Sequence, residues 1–230
     1  MGNREKIESI IENSLRTQQG QKREFYLFGN LVYIQEPIFG EFDVQSVIDF
    51  LEDNIPAHLF NEIDTIMIGS FDFLDARELE AAYRDGAIYI SNRIQTKRDL
   101  LENILHELSH SLEESLGYFI YGNARLMNEF LSKRRALERI LQSHNIGTDN
   151  LDFSDTEYNK DFDVFLYKQV GYPKLRTLTT GLFHTPYAIT SLQEYWASGF
   201  EHYFLGSRAD LREVSPYLHD RIEGVISYED

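Results

Sequence analysis

Residues 104–117 read Ile104-Leu105-His106-Glu107-Leu108-Ser109-His110-Ser111-Leu112-Glu113-Glu114-Ser115-Leu116-Gly117, and this stretch decides the reading of the chain. At about 100° per residue, Leu101, Ile104, Leu105, Leu108 and Leu112 form one stripe of a helix. His106 and His110 fall on the opposite side, one turn apart. Two imidazoles so spaced can address one ion from nitrogens about 2.0–2.1 Å away. Glu107 lies about 100° further round and cannot share their direction, but its carboxylate can reach a water on that ion. The pattern His-Glu-x-x-His on a helix therefore points to a metal site rather than to hydrogen-bonded core histidines or a solvated face.

A catalytic metal needs a third protein ligand and one open position. The chain contains no Cys, so that ligand is a His or a carboxylate. The metzincin extension is absent, because Glu113 and Leu116 stand where its Gly and last His would be. Glu194 leads the candidates. It lies near the start of a second helix in Ser191-Leu-Gln-Glu194-Tyr-Trp-Ala-Ser-Gly-Phe-Glu201-His202. Glu201, His202 and His184 are its rivals, and Ser191-x-x-Glu194 also reads as a capping box. Glu113 and Glu114 read either as carboxylates behind a ligating His or as a solvated pair.

Outward from this stretch, Thr96-x-x-Asp99 opens the metal helix, which is expected to end near Gly117. Before it, residues 81–84 and 87–91 form a hairpin about Asp85-Gly86, and residues 65–69 a buried strand. Residues 43–54 form a helix capped by Asp43, and two short strands flank Gly29-Asn30. Residues 4–16 form an amphipathic helix. After it come a helix at 123–143, a polar acidic loop at 144–160 and a short helix at 161–170. Residues 173–186 read as irregular. A helix at 191–205 is closed by Gly206, and a short one follows Pro216. Hairpins first and helices later indicate an α+β fold.

Residues 1–230 read as one domain. Residues 1–60 are an N-terminal lobe or extra packing, and 61–230 a core with a helical and acidic insertion near 120–165. Lys and Arg number 22 against 38 Asp and Glu, a formal charge of −16. That argues against nucleic acid or an anionic membrane as partner. No apolar run approaches membrane-spanning length, and the N-terminus lacks the apolar core of a signal peptide. Together with the absence of Cys, this gives a cytoplasmic expectation.

Residues 106–117 resemble the active-site helix of the lethal-factor family of zinc peptidases, the group of the anthrax lethal factor catalytic domain and the bacterial Pro-Pro endopeptidases. That helix also carries two acidic residues and then a Gly at these offsets. Glu194-Tyr-Trp-Ala-Ser-Gly-Phe resembles the family's second zinc helix, where a ligand Glu begins an aromatic-rich stretch. The family's Tyr seven residues before that Glu corresponds to Tyr187. The likeness covers residues 60–205 locally. It implies a gluzincin-type zincin fold with a small mixed sheet. It also implies zinc held by His106, His110 and Glu194, with Glu107 as general base and then proton shuttle. Tyr187 would stabilise the oxyanion or protonate the leaving amine. The implied activity is a zinc-dependent endopeptidase acting on a protein or peptide.

The chain departs from the family in two places. His110 and Glu194 are 84 positions apart, about twice the family's usual gap, the excess falling on the 123–143 helix and the acidic loop. Ser198 stands where a thermolysin-like acidic residue would follow Glu194. The alternatives are an idle zincin-like scaffold that binds a protein, and a zinc hydrolase of a non-peptide amide. Strand 87–91 reads either as an edge to which an extended peptide pairs or as covered core, with Ile88 and Ile90 alternating with Tyr89. Phe183, Trp196 and Phe200 read as pocket walls or as core.

Overall fold

Five strands form one mixed sheet in the order β1-β2-β3-β5-β4 in the computed structural model, which describes residues 23–149 and 151–228. The helix expected at 4–16 lies outside the described residues. The strands are β1 (Glu24–Leu27), β2 (Asn30–Ile34), β3 (Thr65–Gly69), β4 (Ala81–Arg84) and β5 (Ala87–Ser91). β2, β3 and β5 run parallel, while β1 and β4 fold back antiparallel on either side. The inner strands are rich in apolar residues that alternate between buried and half-buried positions. Ile66, Ile68, Ile88 and Ile90 are wholly buried.

Each outer strand is set by a two-residue turn with both residues in the left-handed region. Asp85 and Gly86 have φ of 50° and 79°, as the Asp-Gly pair predicts. The first hairpin turns at Phe28-Gly29, with φ of 50° and 91°, rather than at Gly29-Asn30. This turn type places glycine second, so Asn30 becomes the first residue of β2. The β4–β5 hairpin decides between the two readings of strand 87–91 in favour of covered core. β4 lies outside β5, so the edge on this side of the sheet is β4 and strand 87–91 is enclosed between β3 and β4.

Nine α-helices surround the sheet among the described residues: α1 (Val44–Asn54), α2 (Asp72–Asp75), α3 (Lys97–Tyr121), α4 (Ala124–Ser143), α5 (Lys160–Val164), α6 (Tyr172–Leu178), α7 (Leu192–Leu205), α8 (Arg208–Val214) and α9 (Pro216–Ile226). In α1, Asp43 accepts from the Gln45 amide, and Val44, Val47, Ile48 and Leu51 are buried. Helix α3, which carries His106 and His110, opens with the expected Thr96–Asp99 capping box but runs four residues past Gly117. An interior Gly costs about 1 kcal/mol. Burying Ile120, which lies beyond it with no exposure, returns about 1.5–3 kcal/mol.

The segment expected to be irregular contains α6. Pro173 sits in its first turn, where a backbone N–H has no partner to lose, so it starts the helix instead of breaking it. Ser207 caps the additional helix α8 in the same way that Ser191 caps α7. The acidic loop is pinned from below by Arg134, which is 1% exposed. Its guanidinium lies 4.0 Å from the Phe162 ring and donates to the carbonyls of Asp152 and Asp155.

The helical core turns on the pairing of α3 with α7. Trp196 is wholly buried between them, and its indole N–H donates to the Ser109 carbonyl at 3.1 Å. Phe183, Trp196 and Phe200 are all core residues. Gly199 brings α7 against Leu218 of α9, where a Cβ would collide with the buried leucine, whereas a Cβ at Gly117 would meet nothing within 4 Å. Glu129 of α4 satisfies the start of α9 by accepting from the amides of Tyr217 and Leu218 at 2.9 and 3.1 Å. Among the described residues, no helix is long and apolar enough to cross a membrane.

Candidate metal centre

The α3–α7 pairing brings His106, His110 and Glu194 to one point. One ligand-type atom from each lies within 4.8 Å of the others. His106 Nε2 is 3.0 Å from Glu194 Oε2, and His110 Nε2 is 3.9 Å from the same oxygen. Ligands about 2.1 Å from a tetrahedral ion stand about 3.4 Å apart, so these spacings bracket what one small cation needs. The two readings of Ser191-x-x-Glu194 divide between backbone and side chain. The Glu194 amide donates to Ser191 Oγ at 3.1 Å and caps α7, while the Glu194 carboxylate is turned to His106.

Both imidazoles have a carboxylate at their other nitrogen. Glu113 Oε1 is 2.8 Å from His110 Nδ1, and Glu201 Oε2 is 3.8 Å from His106 Nδ1. Glu114 is turned to the sheet instead, accepting from the Tyr83 hydroxyl at 2.9 Å. Glu107 is 8% exposed and accepts from the Tyr83 amide at 2.7 Å. Tyr83 lies on the outer strand β4 and spends its outward N–H on Glu107. By the two-residue alternation of a strand, Ala81 turns its own N–H and carbonyl to the same open edge. Tyr187 begins a short 3-10 turn, its ring centroid 6.2 Å from that of His106. A cleft of about 540 Å³ runs past these groups, with Ala81, Asn103, Tyr172 and Tyr187 in its walls.

The electrostatics favour a cation at the centre. Burial by itself would depress His106, but Glu194 and Glu201 outweigh it and raise the imidazole to about 10. His110 is raised in the same way, with Glu113 and Glu194 overcoming burial. Burial would lift Glu194, yet its hydrogen bond to His106 and the two imidazoles hold it below its ordinary value. Glu107 goes the other way, because burial dominates the pull of His106, His110 and the Tyr83 amide. Burial, and then the Glu194 charge, pushes the Tyr187 hydroxyl well up, so it keeps its proton at neutral pH. The donor set of two imidazoles and a carboxylate, with further carboxylates behind, suits a divalent metal ion.

The rivals of Glu194 fall elsewhere. Glu201 faces the opposite nitrogen of His106 and cannot share an ion with Nε2. His184 and His202 stack on each other, with centroids 4.2 Å apart, and neither joins the group. A second group, His219 with Asp220 and Glu223, lies on α9 apart from this cleft, with both carboxylates on exposed residues 3.4 and 3.6 Å from the imidazole. The role of the Tyr83 amide has no counterpart in the sequence, since a backbone donor leaves no trace in residue type. The spacing of Glu201 could have indicated its place, being seven residues and therefore nearly two helical turns beyond Glu194.

The stacked pair carries a pH prediction. Burial, then the charges of His202 and Lys133, lower His184 from 6.5 to about 4. As pH falls below 6.5 the unfolded chain protonates this group first, so its stabilising share is full above 6.5 and lost towards 4. The urea midpoint of the metal-free protein is expected to fall between pH 7 and pH 4.5, and to fall less in His184→Phe. Equal falls in both proteins would contradict it.

In comparisons with known proteins, the chain matches no family model, no curated protein and no solved structure.

Proposed function

We propose that the chain is a zincin-like, zinc-dependent endopeptidase of the lethal-factor and Pro-Pro endopeptidase kind. The observation that carries this reading is the convergence of His106, His110 and Glu194 within 4.8 Å, beside a buried Glu107 and a protonated Tyr187. A zinc ion held by the three ligands would polarise the scissile carbonyl and bring a coordinated water's pKa towards about 7. Glu107, with Oε2 fixed by the Tyr83 amide, keeps Oε1 for the proton of the attacking water. It then delivers that proton to the leaving amine nitrogen. The Tyr187 O–H donates to the oxygen on which negative charge develops, a bond that strengthens only as the transition state forms. The Ala81 N–H and carbonyl on the β4 edge are available to pair with an extended peptide running along the cleft.

The test is elemental analysis of the purified protein together with cleavage of a peptide library. About one zinc per chain is expected, with cleavage stopped by a chelator and restored by zinc. Absence of zinc sinks the metal reading, and zinc without cleavage returns the chain to a binding scaffold.

Zinc uptake is also expected to release protons at pH 7. The metal-free His106, raised to about 10, carries a proton that a metal must displace. The binding enthalpy will then vary with the ionisation enthalpy of the buffer, by about one proton per zinc or more, since His110 is raised as well. An enthalpy independent of buffer would contradict this protonation state.

A further inference from the structure

Once a metal occupies His106 Nε2, the proton on that ring must sit on Nδ1. The side chain of His106 is 18% exposed, so an unpaired N–H there would carry a desolvation penalty. The group that faces Nδ1 is the Glu201 carboxylate, at 3.8 Å. Glu201 follows Glu194 by seven residues, about 700° of helix, and so projects from the same face of α7 two turns on. The Trp196–Ser109 bond fixes the register of α7 against α3 between these two carboxylates. Ser198, one turn after Glu194, is 3% exposed and lies 3.2 Å from the Thr185 hydroxyl, so it is not available to His106.

We propose that Glu201 is the positioning residue of His106: its carboxylate accepts the Nδ1 proton, fixes the ring with Nε2 towards the metal, and so sets the affinity of the site. The counterpart on His110 is Glu113, already at 2.8 Å. α7 would thus supply both a direct ligand and the support of a ligand from the facing helix. This inference rests on the zinc reading of the same site.

Competition against a chromophoric chelator measures it without any substrate. Glu201→Leu is expected to weaken zinc binding by roughly 10- to 100-fold, the usual effect of losing such a partner. Glu201→Gln should weaken it less, because its amide oxygen still accepts a hydrogen bond. The control is Glu102→Gln, which removes one charge from the same cleft, where Glu102 is paired with Arg98 at 2.5 Å. It should stay within about twofold of the parent. Cobalt-loaded Glu201 variants should keep the parent's visible band, since no direct ligand is lost.

Unchanged zinc affinity in both Glu201 variants overturns the inference. A loss in Glu102→Gln equal to that in Glu201→Gln also overturns it, by reducing the effect to general charge. A collapsed cobalt band overturns it by making Glu201 a ligand. If Glu201→Leu does not fold, the two Gln variants decide. Failure of the unaltered protein to bind zinc is a separate result, which removes the metal reading itself.

Discussion

Glu107→Gln is expected to abolish peptide cleavage while leaving zinc content unchanged. Glu107 is outside the group formed by His106, His110 and Glu194, so its replacement removes no direct ligand. Gln has the same shape, and its side-chain oxygen can still accept from the Tyr83 amide that now holds Glu107 Oε2. It cannot take a proton. Losing a positioned base costs roughly 10²- to 10⁴-fold in rate, or about 2.7–5.5 kcal/mol of barrier. The stability of the metal-free protein should hold or rise. Burial raises the Glu107 pKa, so the ionised form works against folding above its ordinary range, and Gln imitates the protonated form. The measurements are zinc stoichiometry, a thermal melt and kcat/KM on a cleaved peptide. Retention of more than about a tenth of the activity would exclude Glu107 as the base.

Trp196→Ala is expected to be the most damaging single change in the core. The side chain is wholly buried and bridges the two helices that carry His106, His110 and Glu194. Large-to-small changes of a buried aromatic cost about 3–5 kcal/mol, against a total stability of about 5–15 kcal/mol for a domain. Zinc affinity should fall with it, because the register of Glu194 against His106 depends on this contact. Trp196→Phe keeps most of the apolar area and removes the N–H to Ser109, so its cost should be nearer 1 kcal/mol. Urea melts with and without zinc separate the two effects. A Trp196→Ala protein that melts within a few degrees of the parent would show that α7 is held by other contacts.

Much of the fold was legible in the sequence because its strongest signals are local. Asp85-Gly86 and Thr96-x-x-Asp99 specify a turn and a cap through their own side chains and backbone, and both form as expected. The errors came where a residue type has two meanings. Pro173 was a breaker by type and a helix starter by position. Gly117 suggested a helix end, yet burial of Ile120 beyond it carried α3 onward. Gly29 fixed a hairpin but not which neighbour shares its turn. The enclosure of strand 87–91 was hidden because strand order is a long-range property, decided here by how β3 joins two hairpins.

The site divides along the same line. His106 and His110 are one turn apart on one helix, so their convergence follows from spacing alone. The convergence of Glu194 with them depends on the packing of α7 on α3, which bare sequence left open among four candidates. Tyr187 could be selected only through the family resemblance, as one of 14 tyrosines. The roles of Glu113 and Glu114 were not separable by sequence, because adjacent residues on a helix diverge by about 100° and only the fold shows which one turns to His110 and which to the sheet.

The two glycines on α3 and α7 have opposite prospects under mutation and drift. Gly117 opens on free space at the Cβ position, so alanine can replace it and would gain helix propensity. Gly199 is closed by Leu218, itself wholly buried, and even a methyl group would have to displace a packed side chain at about 1–3 kcal/mol. Descendants of this chain that keep its architecture will therefore shed the first glycine long before the second. Five residues after the carboxylate that faces the histidines, an unchanging glycine would stand beside the buried Trp196 as a durable mark of shared ancestry.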